Sequence, residues 1–178
     1  MQTGTRTTHA MVVYESMFGN TRAVAEAIAD SLARHFDRVD VLEADAAPLT
    51  LDGVSLVVVG APTHAFGMSR PSTRRSAAEQ GAAVPPERGV REWLAELHRP
   101  AHEIHAAVFD TRIRKPPLPG SAAGAIGRRL RRLGFTVLGR ISLGVTGTQG
   151  PLGEGELERA ERWAAALDVV TRRTVGAS

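Results

Sequence analysis

The run Ser55–Gly60 reads Ser-Leu-Val-Val-Val-Gly and has no polar residue between its ends. Successive side chains of a strand point to opposite faces, so a strand with no polar alternate must be covered on both sides. This calls for layers above and below a sheet, and the rest of the chain can supply them. Apolar strand-like runs at His9–Tyr14, Val39–Glu43, Ala106–Thr111 and Phe135–Val145 alternate with segments of helical period. The last of these runs is expected to bend at Gly139.

The helical segments carry their own signals. Thr21–Arg34 places Val24, Ile28 and Leu32 on one face. Pro71–Gln80 has Pro71 in its first turn. Val90–Leu97 points Val90, Trp93, Leu94 and Leu97 inward. Ser121 caps a helix that runs to Leu133 and stops at Gly134. Glu156–Thr171 sets Leu157, Ala160, Ala164 and Leu167 on one stripe. Strands separated by helices pair in parallel through right-handed crossovers. The expected architecture is therefore an α/β, three-layer, doubly wound, five-stranded parallel sheet. It occupies 9–172, between a flexible N-terminal tail over 1–8 and a C-terminal tail over 173–178.

Composition narrows the chemistry. The 178 residues contain no cysteine, which excludes disulfides, thiolate catalysis and Cys-ligated metals. No apolar run is long enough to span a bilayer, and Met1–Thr8 has no apolar leader, so the chain reads as cytoplasmic. All basic residues except Lys115 are arginines, but aromatics are only 4%, which disfavours a nucleic-acid partner. His98, His102, Glu103 and His105 are near one another in sequence, but Pro100 breaks any helical ligand spacing, and no metal site is assigned. Arg128, Arg129, Arg131 and Arg132 fall opposite Ile126, Leu130 and Leu133 and are read as a solvated face.

In doubly wound sheets ligands bind beyond the carboxyl ends of the strands. Three loops leave those ends. In the first, Tyr14-Glu15-Ser16-Met17-Phe18-Gly19-Asn20-Thr21, a strand turns directly into a helix. The unpaired N–H groups of a helix start, together with the macrodipole, favour an anion, usually phosphate. Ser16, Asn20 and Thr21 add side-chain donors. Glu15 is expected to point away from such an anion. A Walker loop would need Gly-Lys-Ser/Thr and a dinucleotide fingerprint would need three glycines; neither is present.

This first loop resembles the FMN-phosphate loop of the flavodoxin-like family. The second loop, Pro62-Thr63-His64-Ala65-Phe66-Gly67, looks like that family's quinone-reductase branch. The resemblance implies non-covalent FMN, with its phosphate held by Ser16, Met17, Phe18, Gly19, Asn20 and Thr21. It implies a flavin ring flanked by Pro62, Thr63, His64, Ala65, Phe66 and Gly67 on one side, with Phe66 the ring neighbour and Met68 a soft contact. Asp110, Thr111 and Arg112 would flank the other side. The family commonly stacks a Tyr there, whereas the only Tyr of this chain is Tyr14, which leaves the outer ring face open or covered by Arg112 or Ile113. The cations Arg112, Arg114 and Lys115 would favour an anionic reduced flavin and two-electron chemistry.

The resemblance implies electron transfer or flavin-dependent redox chemistry, with FMN as the redox group and no side chain assigned as catalytic. The partner would be a redox protein or a small donor or acceptor such as NAD(P)H or a quinone. Two alternatives stand beside it: an NAD(P)H-dependent quinone or flavin reductase, and a flavin-free scaffold of the same fold. The segment Met68–Gly89 suits either a lid or a contact in a homo-oligomer.

Overall fold

The computed structural model describes residues 7–64, 67–82, 87–116 and 119–175. Five strands, β1 (His9–Tyr14), β2 (Arg38–Glu43), β3 (Leu56–Pro62), β4 (His105–Ile113) and β5 (Thr136–Val145), form one sheet in the order β2-β1-β3-β4-β5. Every pairing in it is parallel. Five helices connect and cover it: α1 (Asn20–Leu32), α2 (Pro71–Glu79), α3 (Val90–Glu96), α4 (Ala122–Leu133) and α5 (Glu156–Val175).

The two-sided burial read from β3 is realised residue by residue. Val57, Val59 and Ala61 join Trp93, Leu94, Ile126 and Leu130 in one core, beneath α3 and α4. Leu56 and Val58 face the other way, into a second core with Val24, Ile28, Leu32, Ala160 and Ala164 from α1 and α5. The sheet is thus the middle of three layers. Gly60 pairs with Phe109 on β4, and the Phe109 ring lies across the place where a side chain at Gly60 would project.

The helix faces follow the expected periods, with one exception. Val24, Ile28 and Leu32 are fully buried, as are Val90 and Trp93. The Ser121 hydroxyl accepts from Gly124 N–H at 3.0 Å, and Gly134 ends α4 in the left-handed region with φ 97°. On α5, Ala160, Ala164 and Leu167 are buried, but Leu157 is 38% exposed. Glu156 takes the inward position of that first turn, because its carboxylate accepts from Gly144 N–H at 2.8 Å and pairs with Arg114 at 2.8 Å.

Two strands run further than their apolar patterns suggest. β3 continues through Ala61 and Pro62, which pair with Asp110 and Thr111, and β4 continues to Ile113, opposite Val145. Arg112 and Ile113 are therefore strand residues rather than loop. The irregularity in β5 falls on Leu138, the extra residue between Val137 and Gly139, which pair with Ala106 and Ala107. Thr8 is tied down by its N–H and hydroxyl to Asp37 Oδ2, at 2.7 and 2.9 Å. Met1–Arg6 and Gly176–Ser178, parts of the two expected tails, lie outside the described residues.

Replacing Gly60 by Ala pushes a methyl group into the Phe109 ring in a close-packed layer. Overpacking of this kind costs about 1–3 kcal/mol. Urea unfolding should show that loss for Gly60→Ala, with part of it regained when Phe109→Leu is added.

Candidate functional site at the carboxyl edge of the sheet

Strand order reverses between β1 and β3, so the loops after these two strands diverge and leave a crevice. Its floor is the turn from β1 into α1. Gly19 holds φ at 87°, a conformation that L side chains rarely adopt, and this turns the chain sharply enough for α1 to begin at Asn20. The Ser16 Oγ accepts N–H bonds from Gly19 at 3.1 Å and Arg22 at 3.2 Å. With its lone pairs so engaged, the Ser16 hydroxyl hydrogen is left to be donated into the crevice. The first backbone bond of α1 runs from Ala23 N–H to Gly19 O at 3.0 Å. Among the described residues, the N–H groups of Asn20 and Thr21 ahead of it meet no acceptor. The turn is a concave set of donors at the positive end of a helix.

The three loops are joined by buried polar groups. Thr21 and Thr111 share a hydroxyl–hydroxyl bond of 2.7 Å. Thr63 donates its backbone N–H to Thr111 O at 2.9 Å and its hydroxyl to Asp110 Oδ2 at 2.9 Å. Asp110 Oδ2 also accepts from the Ser121 hydroxyl at 2.6 Å and from Ala123 N–H at 3.1 Å. This fully buried carboxylate therefore sits on the N-terminus of α4 and clamps it to the second loop.

A second buried carboxylate does the same for the segment after β3. Glu15 is 2% exposed and turns away from the Ser16 side of the loop, as expected of an anion next to an anion site. It accepts from the Ser69 hydroxyl and from Val90 N–H, the latter at 2.9 Å. Arg74, also 2% exposed, lies 3.9 Å from Glu15, bonds Ser69 Oγ at 2.9 Å and pairs with Glu92 at 3.1 Å. Glu92 completes the chain by accepting from Gly89 N–H at 2.9 Å. Its carboxyl is held below the ordinary carboxylate range: burial pushes it up, but the bonds from Arg74 and Gly89 outweigh that effect. In α2 only Arg74 and Ala77 are buried, so this helix is held by an ion network more than by an apolar stripe.

Of the fifteen residues assigned from the sequence, ten line one cavity of about 80 Å³: Ser16, Met17, Phe18, Asn20, Thr21, Pro62, Thr63, His64, Thr111 and Arg112. Ile113, Val145 and Thr148 complete it. Gly19 shapes the turn without facing the cavity, Gly67 exchanges two 2.8 Å backbone bonds with His64, and Asp110 lies behind the wall. Ala65 and Phe66 lie outside the described residues. The Asn20 amide donates to Gln149 O at 3.1 Å, which brings the 144–153 loop over the helix start. Tyr14, the only tyrosine, is 6% exposed on the α1 side, with its hydroxyl 3.4 Å from Glu43. Burial, with Glu43 beside it, raises that phenol's pKa.

A larger cleft of about 320 Å³ adjoins the first and shares Phe18, His64 and Thr148 with it. Its far wall is α2, through Ser72, Thr73, Ser76, Ala77 and Gln80. Gln149 donates to Gln80 O at 2.9 Å and closes one end. The sequence contained no direct sign of this cleft, because the pattern Pro-Ser-Thr-Arg-Arg-Ser of α2 carries no apolar face to place it. Burial lowers the His64 pKa, and the negative charge of Glu15 opposes that only in part. Its Nε2 is buried and, among the described residues, has no hydrogen-bond partner. In the third loop, Arg114 lies 2.8 Å from Glu156, so its charge is compensated rather than turned on the cavity. Among the described residues no three His, Asp or Glu side chains converge as a metal site, and no helix is long and apolar enough to cross a membrane.

The parallel order β2-β1-β3-β4-β5, with helices on both faces, is the flavodoxin-like α/β fold. Residues 11–73 match the flavodoxin domain family, and that stretch contains the first two loops. Solved structures agree on the fold. A flavodoxin from the domain Archaea superposes with a TM-score of 0.63 at 21% identity, covering 92% of this chain and 99% of that one. A WrbA-like flavodoxin from Agrobacterium tumefaciens gives 0.58 at 19% identity, covering 93% and 98%. The flavodiiron core of Flv1 from Synechocystis gives 0.64 at 16% identity, where this chain matches 37% of a longer protein. Among curated proteins, none matches the sequence.

Two measurements test this arrangement. Arg74→Ala leaves Glu15 buried without its cation, a loss expected to cost about 3 kcal/mol. It should appear in urea unfolding together with faster amide exchange in α2 and at Val90. His64 is neutral when folded and charges more readily when unfolded, so stability is lost as pH falls below 6.5, its ordinary value, toward the lowered folded value. His64→Gln should flatten the fall in unfolding free energy between about pH 7 and 5.

Proposed function

We propose that this protein binds FMN non-covalently at the carboxyl edge of its sheet and acts in electron transfer. The observation that carries this reading is the turn after β1. There Ser16 Oγ, the φ of Gly19 and the N–H groups at the start of α1 form an anion cradle in the same loop that resembles the family's FMN-phosphate site. The residues fit the group. Donors converge where a phosphate monoester would sit, and no carboxylate faces them, because Glu15 and Asp110 are both sequestered behind the walls.

Each part of the crevice then has a task. Ser16 and the α1 amides bind the phosphate, and Thr21, locked to Thr111, keeps the start of α1 against the third loop. Thr63 and His64 on one side and Thr111 to Ile113 on the other orient the ring. Bound FMN supplies the electron-carrying chemistry, and the protein positions it and restricts water. With no aromatic from the third loop in the cavity, Arg112 and Ile113 are the residues available on that side.

A second reading, an NAD(P)H-dependent quinone or flavin reductase, is favoured by the adjoining 320 Å³ cleft. Its hydroxyl and amide lining suits an uncharged polar ring system, and pockets for such ligands start at roughly this size.

Titration of flavin-free protein with FMN, followed by fluorescence quenching, tests the reading. Tight binding is expected. Ser16→Ala should weaken it about tenfold, the scale of a hydrogen bond to a charged group, and Thr21→Val should weaken it less, because that hydroxyl is bonded to Thr111. A protein that binds no FMN would sink both readings and leave the flavin-free scaffold. Steady-state oxidation of NADPH with a quinone separates reductase from carrier.

A further inference from the structure

Charge is distributed unevenly along this chain. Between Thr111 and Gly153 there are eight basic residues and no Asp or Glu. The rest of the chain keeps fourteen basic against nineteen acidic residues, a net of −5. The fold converts this into a spatial asymmetry, because the basic stretch builds the third loop, α4 and the edge strand β5. The opposite edge, formed by β2 and its flanking turns, carries Asp37, Asp40, Glu43, Asp45 and Asp52 against Arg34 and Arg38. The protein is therefore dipolar across its sheet.

Several of these arginines have structural work. Arg129 donates to Leu94 O at 3.2 Å, Arg114 pairs with Glu156 at 2.8 Å, and Arg131 and Arg132 sit in the last turn of α4, where the macrodipole favours cations. Arg128 and Arg140 do not fit this account. A Cβ at Gly124, in the first turn of α4, would lie 3.1 Å from Arg140 Nη1 and 3.6 Å from Arg128 Nη1. The two guanidinium groups thus meet over the positive end of a helix, where like charges repel one another and the dipole. Both are exposed, and among the described residues neither has a carboxylate partner. Exposed Lys115 follows Arg112 and Ile113 of the cavity wall, at the start of the connection that leads into α4.

We infer that the face formed by Lys115, Arg128 and Arg140 docks an acidic protein against the third-loop side of the cavity. The inference rests on the electron-transfer reading, which supplies the reason for holding a partner at that wall. Complementary fields of this kind steer encounter and fix orientation more than they add affinity. The negative edge of a second copy is a poorer occupant, because two of its acids are already engaged within the chain. Asp37 accepts from Thr8 at 2.7 Å, and Asp40 pairs with Arg38 and His9, each at 2.8 Å. A nucleic acid is also a poorer occupant, since the cluster contains no aromatic on which a base could stack.

The test is binding of an acidic plant-type [2Fe–2S] ferredoxin to the full chain, with basic cytochrome c as the opposite-charge probe. At about 20 mM salt the ferredoxin should bind, and at about 200 mM binding should weaken about tenfold or more. The double variant R128E/R140E should lose about tenfold at the lower salt while keeping its FMN affinity. R34E/R162E, an equal charge change on the α1–α5 side, should lose much less. Equal losses in the two variants, or no ferredoxin binding, overturn the inference. So does a short DNA duplex that binds as tightly and is lost with R128E/R140E, or a salt-sensitive dimer in sedimentation that the same variant abolishes. Unchanged FMN titration with failed ferredoxin binding would count against the docking face alone, whereas absent FMN binding would count against the reading beneath it.

Discussion

Burial of β3 on both faces is the constraint on which the rest of the molecule depends. Leu56 and Val58 need α1 and α5, while Val57, Val59 and Ala61 need α3 and α4. A parallel sheet covered in this way has polar groups to spare only at its ends. The strand-to-helix turns all emerge at the carboxyl edge, so every group with chemistry gathers there, and the reversal of strand order between β1 and β3 opens the gap between them.

At that edge the structure uses two carboxylates as joints. Asp110 collects Thr63, Ser121 and an α4 amide, and Glu15 collects Ser69, Val90 and, through Ser69, Arg74. Each buried charge is tolerable only because several donors surround it. The consequence for function is indirect but strong. Both acids come from positions next to cavity-lining residues, yet neither faces the cavity, so the donor set after β1 is left without a competing anion. The Glu15 joint also ties α2 to the first loop through Ser69 and Arg74, on either side of the larger cleft.

Much of this is legible in the sequence. Apolar period marks the strands and every helix but α2 within a few residues, Pro71 marks the start of α2, and the Ser16-to-Thr21 pattern, with its glycine, identifies the turn that forms the donor cradle. The departures from that reading share a cause. Leu157 has the spacing of a core residue beside Ala160 and Ala164, but Glu156 takes the inward position for a hydrogen bond to Gly144. Arg112 and Ile113 read as loop because proline comes soon after them, but backbone pairing with Gly144 and Val145 extends β4. Arg74 carries no sign of burial, since a cation enters an interior only when partners distant in sequence arrive to neutralise it.

Local sequence therefore determined which segments are strands and helices, which faces are apolar, and where an anion-binding turn stands, because each depends on neighbours a few residues apart. Tertiary structure alone decided which loops share a wall, that Glu15 and Arg74 meet across 3.9 Å, that the 144–153 loop bonds Asn20 and Gln80 through Gln149, and that Arg128 and Arg140 converge over Gly124. These contacts join residues far apart in the chain, and their energies depend on burial and geometry that exist only once the three layers have closed.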